Sequence, residues 1–461
     1  MSESVLVVGA GLAGSEAAWQ LARRGIAVEL LEMRPHKTTP AHRTARAAEL
    51  VCTNSFKSDA PEVAAGLLKE ELRQLGSLVL RSADAARVPS GQDLSVDRDA
   101  FASAVEAGLA GVGVRRIAGE LTAIDPARTT IIATGPLTSP DLAAVLERLT
   151  GEDHLHFFDA AAPIVVGESI DRTRIFQASR YGKGGDAYLN IPLDRGEYEA
   201  FVAGLVAAEQ VELRDFEKTM WFEACLPVEE MARRGPESLR FGPLKPLGLT
   251  DPSTGRRPYA VVQLRPDDAA SDLYNLVGFQ TNLRWPEQRR LFRSLPGLAN
   301  AEFARLGVMH RNTYVNSPAL LAPSHRLRSS ARTYLAGQLV GVEGYLESAM
   351  SGLVASLNVA AARAGAPDVV FPADTAIGSL VRYVTTPQRE FAPMNATWGL
   401  FPPLDDTLRR ADKRERARSH LARARGSFAR FLGSRPDLVA PDLVAQDGNA
   451  EAAAGALAAV P

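Results

Sequence analysis

Cysteine is nearly missing: Cys52 and Cys225 are the two thiols in 461 residues. Two cysteines so far apart build no disulfide framework and lack the paired spacing of a structural zinc site. The sequence therefore calls for no metal and reads as a chain of a reducing, cytoplasmic compartment. A surplus of charge is missing too. With 52 Lys and Arg against 54 Asp and Glu, the net charge is −2, so overall basicity does not advertise a nucleic-acid partner. No apolar run approaches the ~18 residues of a membrane span, and Met1-Ser2-Glu3-Ser4 carries an acid where an export signal carries basic residues. No membrane partner is expected. Hydrophobic residues at 46% and charged residues at 23% describe a folded chain, and its length predicts two or three domains.

What is present starts at the N-terminus. Val5–Val8 reads as a buried strand, Glu16–Arg24 as a helix ended by Gly25, and Ile26–Leu31 as a second buried strand. Between the first strand and the helix stands Gly9-Ala10-Gly11-Leu12-Ala13-Gly14, a G-x-G-x-x-G, and Glu32 closes the second strand. In that setting Gly9 permits the tight turn, Gly11 lets a pyrophosphate approach the backbone, Gly14 allows close helix packing, and Glu32 accepts from a ribose hydroxyl. A dinucleotide site follows. Helices are expected at Glu62–Ser82, Asp97–Leu109 and Asp141–Leu149, and a strand at Thr129–Ala133. From Tyr181 to about Val315 proline, glycine and arginine increase, the texture of an inserted domain. The α/β pattern resumes with a strand at Thr333–Ala336 and a helix at Tyr345–Ala364; beyond Pro372 the chain reads as irregular until a helix candidate at Leu404–Leu432.

Two later segments resemble flavoproteins of the glutathione-reductase structural type: Ile131-Ile132-Ala133-Thr134-Gly135, and Ala336-Gly337-Gln338 ahead of a helix. This resemblance favours FAD over NAD, with Thr134, Gly135, Gly337 and Gln338 added to the cofactor site. Gln338 departs from the type, which usually carries an acid there. No second G-x-G-x-x-G is found, so a nicotinamide reductant docks transiently. The fold class is α/β: a Rossmann-like FAD-binding domain of the glutathione-reductase type (1–180 and 318–433) interrupted by a smaller α/β insertion domain (181–317). An Ala-rich tail, 434–461, is expected to be disordered.

Cys52 lies twenty residues past Glu32, where the chain of such flavoproteins runs back towards the flavin ring. Spacing alone leaves it between a core residue, the commoner role of a lone cysteine in Leu-Val-Cys, and a thiol beside the ring. Cys225, in Phe222-Glu223-Ala224-Cys225-Leu226-Pro227 of the insert, presents the same choice between packing and nucleophilic chemistry.

Longer segments then narrow the reading. GAGLAGSEAAWQLARRGI from Gly9, AELVCTNS from Ala48, SRYGKGGDAYLN from Ser179, FEACLP from Phe222, GVMHRNTYVNSP from Gly307 and AGQLVGVEGYLESAMSGL from Ala336 resemble the folate- and FAD-dependent tRNA (uracil-5-)-methyltransferases, the TrmFO family. The resemblance runs from Val5 to about Gly433. It implies formation of 5-methyluridine at position 54 in the T-loop of tRNA, with 5,10-methylenetetrahydrofolate as carbon donor and FAD, reduced by NADPH or NADH, as reductant. It also implies that both cysteines function, Cys225 as nucleophile and Cys52 as the flavin-side thiol. The rival readings are a related ribosomal-RNA uridine methyltransferase and a plain NAD(P)H–flavin oxidoreductase.

For tRNA, Arg409 to Arg430 offers nine basic residues against two acids, beginning with Arg409, Arg410, Lys413 and Arg414. It reads equally as a phosphate-binding helix and as a solvated surface helix. Arg180, Lys183 and Arg284 are phosphate candidates in and beside the insert. Trp285 and Tyr259 are candidates to stack on a splayed base, Phe279 is expected to pack in the core, and His310 and Arg311 are candidates for folate or uracil contacts.

Overall fold

The computed structural model describes residues 3–39, 41–151, 155–160, 162–182, 186–211, 226–268, 270–307, 309–389, 391–409 and 411–439. Val5–Val8 (β1) is buried along its whole length and feeds through the glycine turn into Leu12–Ala22 (α1). Val28–Glu32 (β2), Arg115–Ala118 (β3), Thr130–Ile132 (β4) and Thr333–Leu335 (β5) complete one sheet in the order β5-β4-β1-β2-β3. Every pairing is parallel, with Val5 opposite Val28 and Leu6 opposite Thr130. A parallel sheet is covered on both faces. Here Tyr345–Arg363 (α2), fourteen of whose residues are buried, packs along α1. Ligands of such folds gather at the carboxyl ends of the strands, which places the site at Gly9, Glu32, Ala133 and Ala336.

The second body is built on a six-stranded antiparallel sheet whose central strands are Leu189–Leu193, Ala260–Pro266 and Leu273–Leu276. It has its own hydrophobic core, spanning Ala162 to Ala301, whereas the first core draws on Val5–Leu146 and Val315–Leu438. The insert thus begins ahead of residue 181: Ile164–Val166 and Phe176–Gln177 are strands of its sheet. An antiparallel ribbon, Leu155–Ala160 against Met309–Tyr314, joins the two bodies.

Three expectations of local structure are corrected. The helix expected over Glu62–Ser82 is two, Ala64–Gln74 and Leu78–Ala85, because Gly76 turns to a φ of 67° and the Ser77 side chain caps the second by accepting from Leu80 N. The stretch beyond Pro372 holds a helix, Ala376–Thr385. Its exposed amides are met by Thr375 Oγ1, which accepts from Gly378 N at 3.0 Å, and by the buried Glu71 carboxylate, which accepts from Ala376 N at 2.8 Å and Ile377 N at 2.9 Å. Glu71 lies some 300 residues upstream, so the local pattern carries no trace of this cap. The Leu404–Leu432 candidate divides into Asp406–Arg409 and Lys413–Ser434 (α3), since the Asp412 carboxylate accepts from Arg414 N and Glu415 N and starts a fresh helix. Among the described residues, no helix is long and apolar enough to cross a membrane.

Candidate active site

The glycine turn explains itself by what a side chain would meet. A Cβ on Gly14 would lie 1.8 Å from the Gly9 carbonyl oxygen, and one on Gly9, where φ is +96°, would lie 2.6 Å from Ala133 O. Gly11 differs: no atom lies within 4 Å of where its Cβ would be. That open space sits at the N-terminus of α1, whose first amides have no intrahelical acceptor and suit a phosphate. The glycine pattern did not reveal Gly352. A Cβ there would lie 2.1 Å from Ala13 O, so this glycine lets α2 press against α1.

Glu32 is held by the protein on three sides. Its carboxylate accepts from Ala10 N at 2.8 Å, Arg34 N at 3.0 Å and Arg34 Nε at 2.9 Å. Burial opposes its charge, but the Arg34 guanidinium and the Ala10 amide outweigh that and keep the carboxyl below its usual range. A carboxylate offers about four acceptor positions, so Glu32 retains capacity for a sugar hydroxyl. It lines a cleft of about 1030 Å³, mouth included, together with Gly11, Thr134, Gly135, Gly337 and Gln338. The residues read as a dinucleotide site therefore converge. Gln338 donates to the carboxylate of Glu343, so the acid that position 338 lacks stands beside it, five residues along. Nothing in the motif announced Glu343.

This cleft opens into a second cavity of about 1480 Å³ between the two bodies. Val51, Pro136, Leu137, Gln338, Tyr345 and Ser348 line both, so the two spaces are continuous. Cys52 lies in the second, half-buried, and its backbone is clamped from both bodies. The Tyr345 hydroxyl accepts from Cys52 N at 2.9 Å and Thr53 N at 3.1 Å. The Cys52 carbonyl accepts from Arg98 Nη2 at 3.1 Å and from Arg305 Nη2, across the interface, at 2.6 Å. Arg98 in turn pairs with Asp267 of the second body at 2.8 Å. Charge-assisted bonds of this kind hold geometry tightly. Burial also pushes the Tyr345 phenol well up, so it stays neutral.

The model of the family described as Glucose inhibited division protein A matches residues 4–367. The Heliobacterium modesticaldum protein named Methylenetetrahydrofolate--tRNA-(uracil-5-)-methyltransferase TrmFO is 54% identical over 433 residues, 93% of this chain and 98% of its own. A Desulforudis audaxviator protein of the same name is 56% identical over 435 residues, 94% and 99% of the two chains. The chain belongs to the TrmFO family. In fold it resembles the solved structure of GidA from Aquifex aeolicus, with a TM-score of 0.68 at 16% identity over 97% of this chain and 76% of that one.

The remaining candidates of this TrmFO-family chain separate by burial. Arg180 is occupied within the insert, where Nε donates to Gln263 Oε1 at 2.9 Å and Nη1 to Leu247 O at 3.1 Å and to Lys245 O, and burial lowers its pKa. That makes it a latch between loops. Arg284 is exposed and pairs with Glu209 at 3.0 Å. Phe279 is fully buried, 5.8 Å from Phe201 and 5.4 Å from Phe292 between ring centres. Tyr259 stacks with Arg240 at 4.3 Å and donates to Glu237 at 2.8 Å, whereas Trp285 is 56% exposed. On α3, Arg425 pairs with Glu70 at 2.8 Å while Lys413 and Arg414 face solvent. Cys225, Lys183 and Arg410 lie outside the described residues, as do the side chains of Arg409, His310 and Arg311.

Proposed function

We propose that this chain forms 5-methyluridine at position 54 of the tRNA T-loop, taking its carbon from 5,10-methylenetetrahydrofolate and its electrons from FAD reduced by NADPH or NADH, in the cytoplasm. One observation carries the reading: the dinucleotide cleft opens directly onto a cavity holding a clamped thiol between the two bodies. The names of relatives more than 50% identical over nearly the whole chain support the same activity.

The residues present fit FAD. The space at Gly11 would admit a pyrophosphate at the N-terminus of α1, Glu32 would take a ribose hydroxyl, and Gln338, which donates to Glu343, lines the same cleft. Bound there, reduced FAD supplies hydride equivalents and a carrier for the one-carbon unit. The chain's own part is to make uracil reactive. Carbon 5 is a poor nucleophile until a thiolate adds to carbon 6 and raises its electron density. We assign that addition to Cys225. Cys52, on the cofactor side of the cavity, is assigned as the flavin-side thiol and the acceptor of the proton leaving carbon 5. Val228, three residues beyond Cys225, donates its amide to Gln280 O at 2.7 Å, and Gln280 lines the same cavity, which supports the assignment.

Lys413 and Arg414 at the exposed start of α3 are proposed to meet tRNA phosphates. Replacing both with alanine is expected to weaken tRNA binding and to flatten the slope of log affinity against log salt by about 2. An unchanged slope would leave α3 as a solvated surface helix.

The reading is tested by incubating the purified protein with methylenetetrahydrofolate, NADPH and unmodified tRNA, then locating 5-methyluridine by nuclease mapping. Product at the T-loop position is expected. NADPH oxidation with no methylated nucleoside would point instead to a plain flavin oxidoreductase, and product on ribosomal RNA alone to an rRNA enzyme.

A further inference from the structure

The part of the cavity wall not shared with the dinucleotide cleft carries polar groups that the chemistry above leaves unused. Asp93 opens the strand Asp93–Val96 and lines the cavity half-buried. Among the described residues its carboxylate receives no hydrogen bond and pairs with no cation. Burial pushes its pKa up, and Arg265 and Lys69 act on it only through their charge. Across the cavity wall, Arg265 and Asn275 sit directly opposite one another on adjacent antiparallel strands of the second body. Both side chains are more than nine-tenths buried. Arg265 Nη2 donates to Thr53 Oγ1 at 2.6 Å, but Arg265 Nε and Asn275 Nδ2 have no acceptor. Buried donors without partners are rare in folded proteins and ask for an explanation. A ligand that brings acceptors to this wall is one.

The three groups bring two donors and one acceptor to one cavity. The imide edge of uracil is the complement of such a set, with O4 accepting, N3–H donating and O2 accepting. We propose that Asp93, Arg265 and Asn275 read the imide edge of the target uracil, Asp93 accepting from N3–H while Arg265 and Asn275 donate to the flanking carbonyls. This rests on the methyltransferase reading above. N3 lies across the ring from the C5–C6 bond, so a grip on the imide edge turns the two reacting carbons towards the rest of the cavity, where Cys52 lies. Cytosine offers a lone pair at N3 and meets the carboxylate with repulsion. The pterin ring of the folate also carries a lactam N–H, but it brings one carbonyl to two donors and leaves one of them unmet.

The test uses full-length tRNA assembled with uridine or N3-methyluridine at the target position. Wild-type enzyme is expected to lose about 100-fold or more in kcat/KM on the methylated base, as sites built to bond an N–H reject analogues that lack it. Asp93→Ala is expected to fall about 100-fold on uridine and to discriminate between the two bases by less than about 3-fold. Asp93→Leu keeps the volume without the acceptor and gives the same readout if the alanine protein does not fold. Discrimination equal to wild type in either variant overturns the proposal. So does a raised KM for methylenetetrahydrofolate with base discrimination intact, which would assign the carboxylate to the folate. No 5-methyluridine from wild type on the uridine tRNA overturns the parent reading and this one with it, whereas turnover with unchanged discrimination overturns this one alone.

Discussion

A Gly14→Ala protein is expected to purify without its yellow cofactor and to melt well below wild type. The new methyl would lie 1.8 Å from the Gly9 carbonyl oxygen, and both atoms belong to backbone on the rigid turn between β1 and α1. Alanine in a helix gains up to about 1 kcal/mol over glycine in propensity. Overpacking against main chain costs about 3 kcal/mol, so the clash wins and the turn must open. The amides that would face the pyrophosphate move with it. Gly11→Ala is the instructive partner. Nothing in the protein lies within 4 Å of its Cβ, so it should fold and melt like flavin-free wild type, yet its methyl occupies the space a pyrophosphate needs. Thermal melts and flavin absorbance after gel filtration separate the two. A Gly11→Ala protein that holds FAD as tightly as wild type would mean that the phosphates do not sit at this turn.

Cys52→Ala is expected to lower 5-methyluridine formation by about 10³-fold, the scale of a lost acid–base group, while the protein folds normally. Position 52 is set by its main chain: Tyr345 receives the amide, and Arg98 and Arg305 donate to the carbonyl. None of these bonds involves the sulfur. Truncation therefore leaves the clamp in place. Activity within tenfold of wild type would remove Cys52 from the chemistry. The division of labour is checked with tRNA carrying 5-fluorouridine, which blocks proton loss from carbon 5 and traps the thioether. A covalent complex is expected with Cys52→Ala and not with Cys225→Ala; the opposite pattern would exchange the two roles.

Much of the cofactor site was legible along the chain because its parts are neighbours in sequence. Strand, glycine turn, helix, second strand and Glu32 occupy 28 consecutive residues, Val5 to Glu32, and their periodicity and spacing are imposed by the βαβ geometry itself. Arg34 was within the same reach, two residues past Glu32, but an arginine in a loop carries no periodic signal. The stretch from Glu62 to Ser82 reads as one helix because its leucines keep helical spacing across Gly76, where the φ of 67° breaks the axis. The Ala376–Thr385 helix is not legible locally because its N-terminal amides are met from Glu71, whose burial pushes its own pKa up to about 8.

By itself the amino-acid sequence determined the strand–turn–helix that would take a dinucleotide, the acid that closes it, and membership of the TrmFO family. Only tertiary structure decided that Cys52 stands in a cavity and not in the core, that Arg98 and Arg305 grip it from opposite bodies, and that Asp93, Arg265 and Asn275 line that same cavity. Those relations join residues up to some 250 positions apart. Contacts of that range arise from how two separately cored bodies pack, and no local spacing encodes them.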